Sequence, residues 1–128
     1  MGTSFVEYKG FGFWTRDSYL ESWLQNPLQE MGNLSPREPW QDSLVEHWRI
    51  QAEIDGGVMS LDLDKYLTDE GRKDLMLSMT RVALNRCEPL GQRTGELFVR
   101  LLQGKPAATV ESNRLFRHQG VDRIAGAL

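Results

Sequence analysis

Few residues of this chain could carry chemistry: two histidines, one cysteine and one Asp-x-Asp pair. His47 and His118 fall in different expected helices. No His-x3-His, His-Glu-x2-His or Cys-x2-Cys spacing exists, so a zinc site has no local support. Cys87 could act as a nucleophile with His47, and Glu46 beside it, or with His118, only if folding brought them together. Cys87 falls at the end of an expected helix, where the dipole disfavours a thiolate. Arg86 favours the thiolate and Glu88 offsets Arg86. His47 flanks an apolar stripe and reads as a partly exposed structural histidine. Asp62-Leu63-Asp64 begins like a calcium loop, but Tyr66 and Leu67 stand where an oxygen ligand and a glycine are needed. Gly10-Phe11-Gly12 lacks the third glycine and the helix start of a dinucleotide loop. No Gly-x-Ser-x-Gly is present. No catalytic residue, metal or cofactor is therefore expected.

The elements that would position these residues are mostly helical. A chain of 128 residues with 40% hydrophobic and 26% charged residues suits one domain. Such a chain buries roughly two-thirds of its unfolded surface, enough for a core without disulfides. The single cysteine suits a reducing compartment. The first residues lack a basic region followed by an apolar run, and Val6 stands where a myristoylation motif needs Ser or Thr. No apolar stretch approaches the ~20 residues of a membrane span. A cytoplasmic location is expected.

Residues 1–16 form an aromatic arm. Phe5, Tyr8, Phe11, Phe13, Trp14, Tyr19 and Trp23 place seven of the twelve aromatics within the first 23 residues. Their expected role is to supply core area. A first helix is predicted from Asp17 or Ser18, with Leu20, Trp23, Leu24, Leu28 and Met31 on one face. Pro27 should kink it or end it near Asn26. Ser35-Pro36-Arg37-Glu38 reads as a capping box for a second helix, which Pro39 would delay. Its stripe is Trp40, Leu44, Val45, Trp48 and Ala52, and Gly56-Gly57 would break it.

Met59, Leu61 and Leu63 alternate with Ser60, Asp62 and Asp64, which predicts a short strand paired with the N-terminal arm. A third helix, capped by Thr68, should run to about Arg86 through Leu75, Met76, Met79, Val82 and Ala83. A fourth is predicted over Gln92–Gln103, stopped by Gly104, and a fifth from Thr109 to about Gln119. The tail over 120–128 is expected to fray. The predicted fold is mainly α, with four or five amphipathic helices around one core and a short extended strand or two-stranded ribbon.

Charge is unevenly divided. Residues 1–70 hold 13 acids and 5 bases, residues 71–128 hold 5 acids and 10 bases, and the net charge is −3. Two halves folding against each other would explain this, and so would partner surfaces. Arg93, Arg100, Arg114, Arg117 and Arg123 are spaced as ordinary solvated helix faces in an acidic chain, so nucleic acid is not the expected partner. The distinctive stretch is acidic: Glu53, Asp55, Asp62, Asp64, Asp69 and Glu70, with Lys65 alone against them. On a strand Asp62 and Asp64 would share a face about 7 Å apart. Asp69 and Glu70 suit a helix N-terminus, whereas Asp55 at a helix C-terminus does not. An acidic cluster of this kind is a candidate docking surface for a cationic partner.

Several segments together resemble a known class. Gly10-Phe11-Gly12-Phe13-Trp14 leads into Leu20-Glu21-Ser22-Trp23-Leu24. His47-Trp48-Arg49-Ile50-Gln51-Ala52 and Gly56-Gly57-Val58 follow. Leu61-Asp62-Leu63-Asp64-Lys65-Tyr66-Leu67-Thr68 precedes a helix, and Gly95-Glu96-Leu97-Phe98-Val99-Arg100-Leu101-Leu102-Gln103-Gly104 comes last. Over much of residues 10–104 the chain is similar to small bacterial immunity proteins of polymorphic toxin and contact-dependent inhibition systems. The resemblance implies action by binding, without catalytic residues, and identifies neither a toxin nor a binding residue.

The expected function is non-catalytic: a protein that neutralises a cognate toxin by occlusion, with a basic toxin domain as partner. A helical adaptor or a homo-oligomer is the alternative. A small enzyme with a site assembled from Glu46, His47 and Cys87 is the second alternative.

Overall fold

A computed structural model describes residues 2–53 and 60–105. Its elements run in the order β1 (Thr3–Tyr8), β2 (Phe11–Arg16), α1 (Asp17–Gly32), α2 (Pro39–Glu53), α3 (Leu63–Tyr66), α4 (Glu70–Asn85) and α5 (Pro89–Leu102). The fold is mainly α, with five helices and one two-stranded ribbon among the described residues. The helix expected from Thr109 and the tail over 120–128 lie outside the described residues, as do Asp55 and Gly56-Gly57.

The aromatic arm pairs with itself. β1 and β2 run antiparallel, with Thr3 opposite Arg16 and Tyr8 opposite Phe11. Lys9 and Gly10 join them, both at positive φ, 51° and 88°. A two-residue turn with two left-handed positions matches the twist of the strands, and glycine adopts it without steric cost. Lys9 has no such freedom, and its backbone N–H is held by Asp64 Oδ1 at 3.0 Å. Ser4, Val6 and Tyr8 face inward, while Phe5 and Trp14 pair on the opposite face with ring centroids 5.2 Å apart.

This corrects the expected partner of β1. Ser60–Asp62 is not a strand. Asp62 adopts a left-handed conformation (φ 51°, ψ 46°) and turns the chain into the four-residue α3. The alternation still reports burial, since Leu61 and Leu63 are buried while Asp62 and Asp64 are exposed. It does not report a ladder. α2 takes the place of a neighbouring strand by binding this segment with side chains. Trp48 Nε1 donates to Leu61 O at 2.9 Å, and His47 Nε2 lies 2.7 Å from Ser60 O. Gln51 Oε1 accepts from Ser60 N at 2.8 Å.

α1 is the central helix and packs against α2, α4 and α5. Its apolar face buries Leu20, Trp23, Leu24 and Met31. It runs through Pro27 to Gly32 instead of ending near Asn26. Proline deprives the Trp23 carbonyl of its usual donor. The Asn26 side-chain amide, 3.4 Å from Trp23 O and 3.3 Å from Ser22 O, takes that place.

α2 begins at Pro39, after Ser35-Pro36-Arg37-Glu38, with the delay expected of Pro39. One of the two bonds of the capping motif forms there, from the Gln41 side chain back to the Glu38 amide. Gln41 Oε1 accepts from Glu38 N at 2.8 Å, and Glu38 O accepts from Gln41 N and Asp42 N. α4 is capped by Asp69, one residue after the expected Thr68, through Oδ1 and Arg72 N at 2.8 Å. α5 starts with Pro89 as its first residue, earlier than Gln92, because proline needs no N–H partner there. Gly104, at φ 73°, follows its end as expected.

The middle of the core is aromatic. Phe98 on α5 lies 5.7 Å from Trp23 and 6.0 Å edge-on from Trp48, and all three are out of solvent. From α4, Met76, Met79 and Ala83 are buried, whereas Val82 faces solvent. Arg86, just after α4, pairs with Glu30 of α1. The hairpin is tied to α5 by the hydroxyls of Thr15 and Thr94, 2.8 Å apart and both buried.

Candidate functional site

The acidic stretch gathers where the hairpin turn, α3 and the start of α4 meet. Asp62 Oδ1 accepts from Ser60 Oγ at 3.0 Å, and its Oδ2 lies 3.2 Å from His47 Nε2. Two acceptors, Ser60 O and Asp62 Oδ2, face that one nitrogen, so Nε2 carries the hydrogen. Asp64 holds the Lys9 amide. Asp69 caps α4. Glu70 bonds Lys73 at 2.6 Å and lies 3.9 Å from Lys9 Nζ. Glu53, at the exposed end of α2, stands apart from these four in the chain and in its contacts.

The hydrogen bond and charge of Lys73 hold the Glu70 carboxyl below the usual carboxylate range, and Glu70 in turn raises the Lys73 ammonium. A depressed carboxyl favours the folded state above its unfolded pKa and loses that contribution as pH falls through the folded value. Both groups are at the surface, so screening keeps the contribution small.

Two features of this corner were not legible in the sequence. First, four of the acids have local structural partners. Second, cations interleave with them. Lys9, Lys65, Arg72 and Lys73 all belong to the same few turns. Arg72 is the most deeply engaged: its Nη1 donates to Tyr66 O at 3.1 Å, and its guanidinium lies 4.9 Å over the Trp40 ring. The corner is a patterned surface of both signs, with Asp62, Asp69 and Glu70 side chains 40%, 64% and 70% exposed.

The residues considered for catalysis are committed elsewhere. His47 binds Ser60 and Asp62, and Glu46 pairs with Arg49 at 3.6 Å. Ser60 Oγ bonds the aspartate and only its carbonyl meets His47, so these three do not form a nucleophile–base–acid relay. Cys87 Sγ lies 3.3 Å from Glu88 O, at the end of α4. No group of three metal-ligating side chains gathers among the described residues.

Burial, followed by the charge of Glu88, pushes the Cys87 thiol above its ordinary value. Native protein at pH 8 is therefore expected to react with iodoacetamide more slowly than urea-unfolded protein, because the thiolate is the nucleophile. Equal rates would remove the environmental effect. The sign for stability follows: folding favours the neutral thiol, so stability falls as pH rises above the unfolded thiol pKa.

Among the described residues no helix is long and apolar enough to cross a membrane. No protein-family model, curated protein or solved structure matches this chain.

Proposed function

We propose that this chain is a non-catalytic binding protein of the immunity type, which neutralises a cognate toxin by covering it. The observation that carries the reading is the corner around α3. Asp62, Asp69 and Glu70 project into solvent while each is held by an internal hydrogen bond. Groups fixed before contact lose less freedom on binding than free side chains do. The alternation with Lys9, Lys65, Arg72 and Lys73 would set register and partner choice more than bulk attraction. A basic toxin domain whose own carboxylates meet these lysines is the complementary surface.

The test begins with tagged protein purified from its source cells and identification of the chains that accompany it. The expected partner is toxic when expressed alone, and growth returns when this chain is supplied with it. Glu70→Lys is the sharpest variant, because Asp62 and Asp64 also hold backbone and side-chain groups of the fold. It is expected to weaken partner binding by about tenfold or more, roughly 1.4 kcal/mol, with the melting temperature close to that of the parent. Unchanged affinity would take the acidic corner out of the interface. An accompanying chain that is harmless alone would point to an adaptor role.

A further inference from the structure

A second surface lies away from the acidic corner, between the end of β2, the first turn of α1 and the N-terminal half of α5. It is an open groove of about 490 Å³. Ligand sites for small molecules span roughly 300–1,000 Å³. Its walls are Trp14 and Tyr19 on one side and Leu90 and Leu97 on the other. Leu90 is 53% exposed, an unusual state for a leucine beside other apolar side chains.

The polar groups of the groove are mainly donors. Arg16 stacks on Tyr19, with its guanidinium carbon 5.5 Å from the ring centroid, and pairs with no carboxylate among the described residues. The neighbouring Asp17 is occupied by Ser4 Oγ at 2.6 Å. Among the described residues Arg93 pairs with Glu96, at 3.6 Å on an exposed helix face. At the base, Thr15 and Thr94 share one hydrogen bond. The Trp14 indole N–H is out of solvent and lacks an acceptor among the described residues. A buried donor without a partner is costly, and one beside two arginines calls for a ligand that carries acceptors.

We infer that this groove binds a small amphipathic carboxylate, a molecule with a flat apolar body and one anionic end. The body would lie between Trp14, Tyr19, Leu90 and Leu97. The carboxylate would take the guanidinium groups of Arg16 and Arg93, whose planar forks suit a carboxylate. This site is separate from the acidic corner and does not depend on the partner-binding reading.

The test uses two isosteric probes, 2-naphthoate and its uncharged analogue 2-naphthamide, titrated into the whole protein and followed by amide and indole NMR shifts. Saturable shifts at the Trp14 indole and across Leu90–Leu97 are expected, with 2-naphthoate binding at least tenfold more tightly than 2-naphthamide. In the double variant Arg16→Gln, Arg93→Gln the two probes should bind equally, and an unchanged melting temperature would show that the fold is intact. Three results would overturn the inference. The first is no saturable shift at these residues with either probe at millimolar concentration. The second is equal affinity for both probes in the parent, which would make the groove an apolar patch. The third is saturation of the same residues by an acidic aromatic peptide alone, which would make its occupant a polypeptide.

Discussion

Trp23→Ala is expected to cost about 3–5 kcal/mol, a large share of the stability of a domain this size. The residue is fully buried on the central helix and touches the Phe98 ring from one side. The helix that carries Phe98 also brings Gly95 so close that an added Cβ would stand 2.6 Å from the Trp23 ring. The cost has two parts, lost transfer energy and a cavity that rigid helices close only partly. Its indole N–H meets no acceptor among the described residues. Trp23→Phe therefore loses ring area without stranding a partner, and should cost clearly less than Trp23→Ala. Urea unfolding of the two variants measures both. A Trp23→Ala protein within about 1 kcal/mol of the parent would show that the helices close over the vacancy.

Gly91→Ala is expected to destabilise by about 2 kcal/mol, although alanine is the better helix former by roughly 1 kcal/mol. A Cβ at position 91 would stand 2.8 Å from Trp23 N and 3.0 Å from Trp23 Cα. Both are backbone atoms of a packed helix and cannot turn aside. At Gly95 the obstruction differs. The added carbon would meet the Trp23 ring at 2.6 Å and the end of Leu84 at 2.9 Å. The two glycines should therefore part company when Trp23 is removed. In a Trp23→Ala background Gly95→Ala should become stabilising, because its methyl enters the vacated space and helix propensity is gained. Gly91→Ala should stay destabilising, because the backbone it strikes is still there. A Gly95→Ala substitution with the same sign in both backgrounds would break this account of the α1–α5 contact. Coupling of this kind is what contacting positions show and distant ones do not.

The sequence was most readable where a helix buries one face and ends on a simple signal. The spacing of Leu20, Trp23, Leu24 and Met31 marks α1, and Gly104 marks the end of α5. Boundaries slipped where a side chain other than the obvious one made the cap: Asp69 in place of Thr68, and Gln41 with Glu38 in place of Ser35. Pro27 misled because its effect depends on whether a neighbour can serve the freed carbonyl, and Asn26 does. Leu61 and Leu63 misled because alternation records which side chains are buried, whatever partner the backbone finds. The hairpin carried a weak signal, a single Gly10 after Lys9, where Asn-Gly would have been plain. The acidic cluster was visible in composition. Its local bonds to His47, Lys9 and Lys73 were not, because they join residues distant along the chain or depend on rotamers. The groove was not legible either: its two sides belong to opposite ends of the described fold.

That last separation has a consequence for how the molecule comes into being. The hydroxyl bond between Thr15 and Thr94 joins positions 79 residues apart. The clamp of α2 on Ser60 and Leu61 spans only 9 to 13. Short loops close at lower entropic cost than long ones, and a growing chain emerges from its N-terminus. The α2 clamp can form on a half-made polypeptide. The hairpin, by contrast, can pack on α1 and α3 early but lacks its contacts with α5 until α5 has been synthesised and has docked. A chain not yet extended through α5 has one wall of the groove and lacks the other, so whatever the groove holds is held only once α5 has docked.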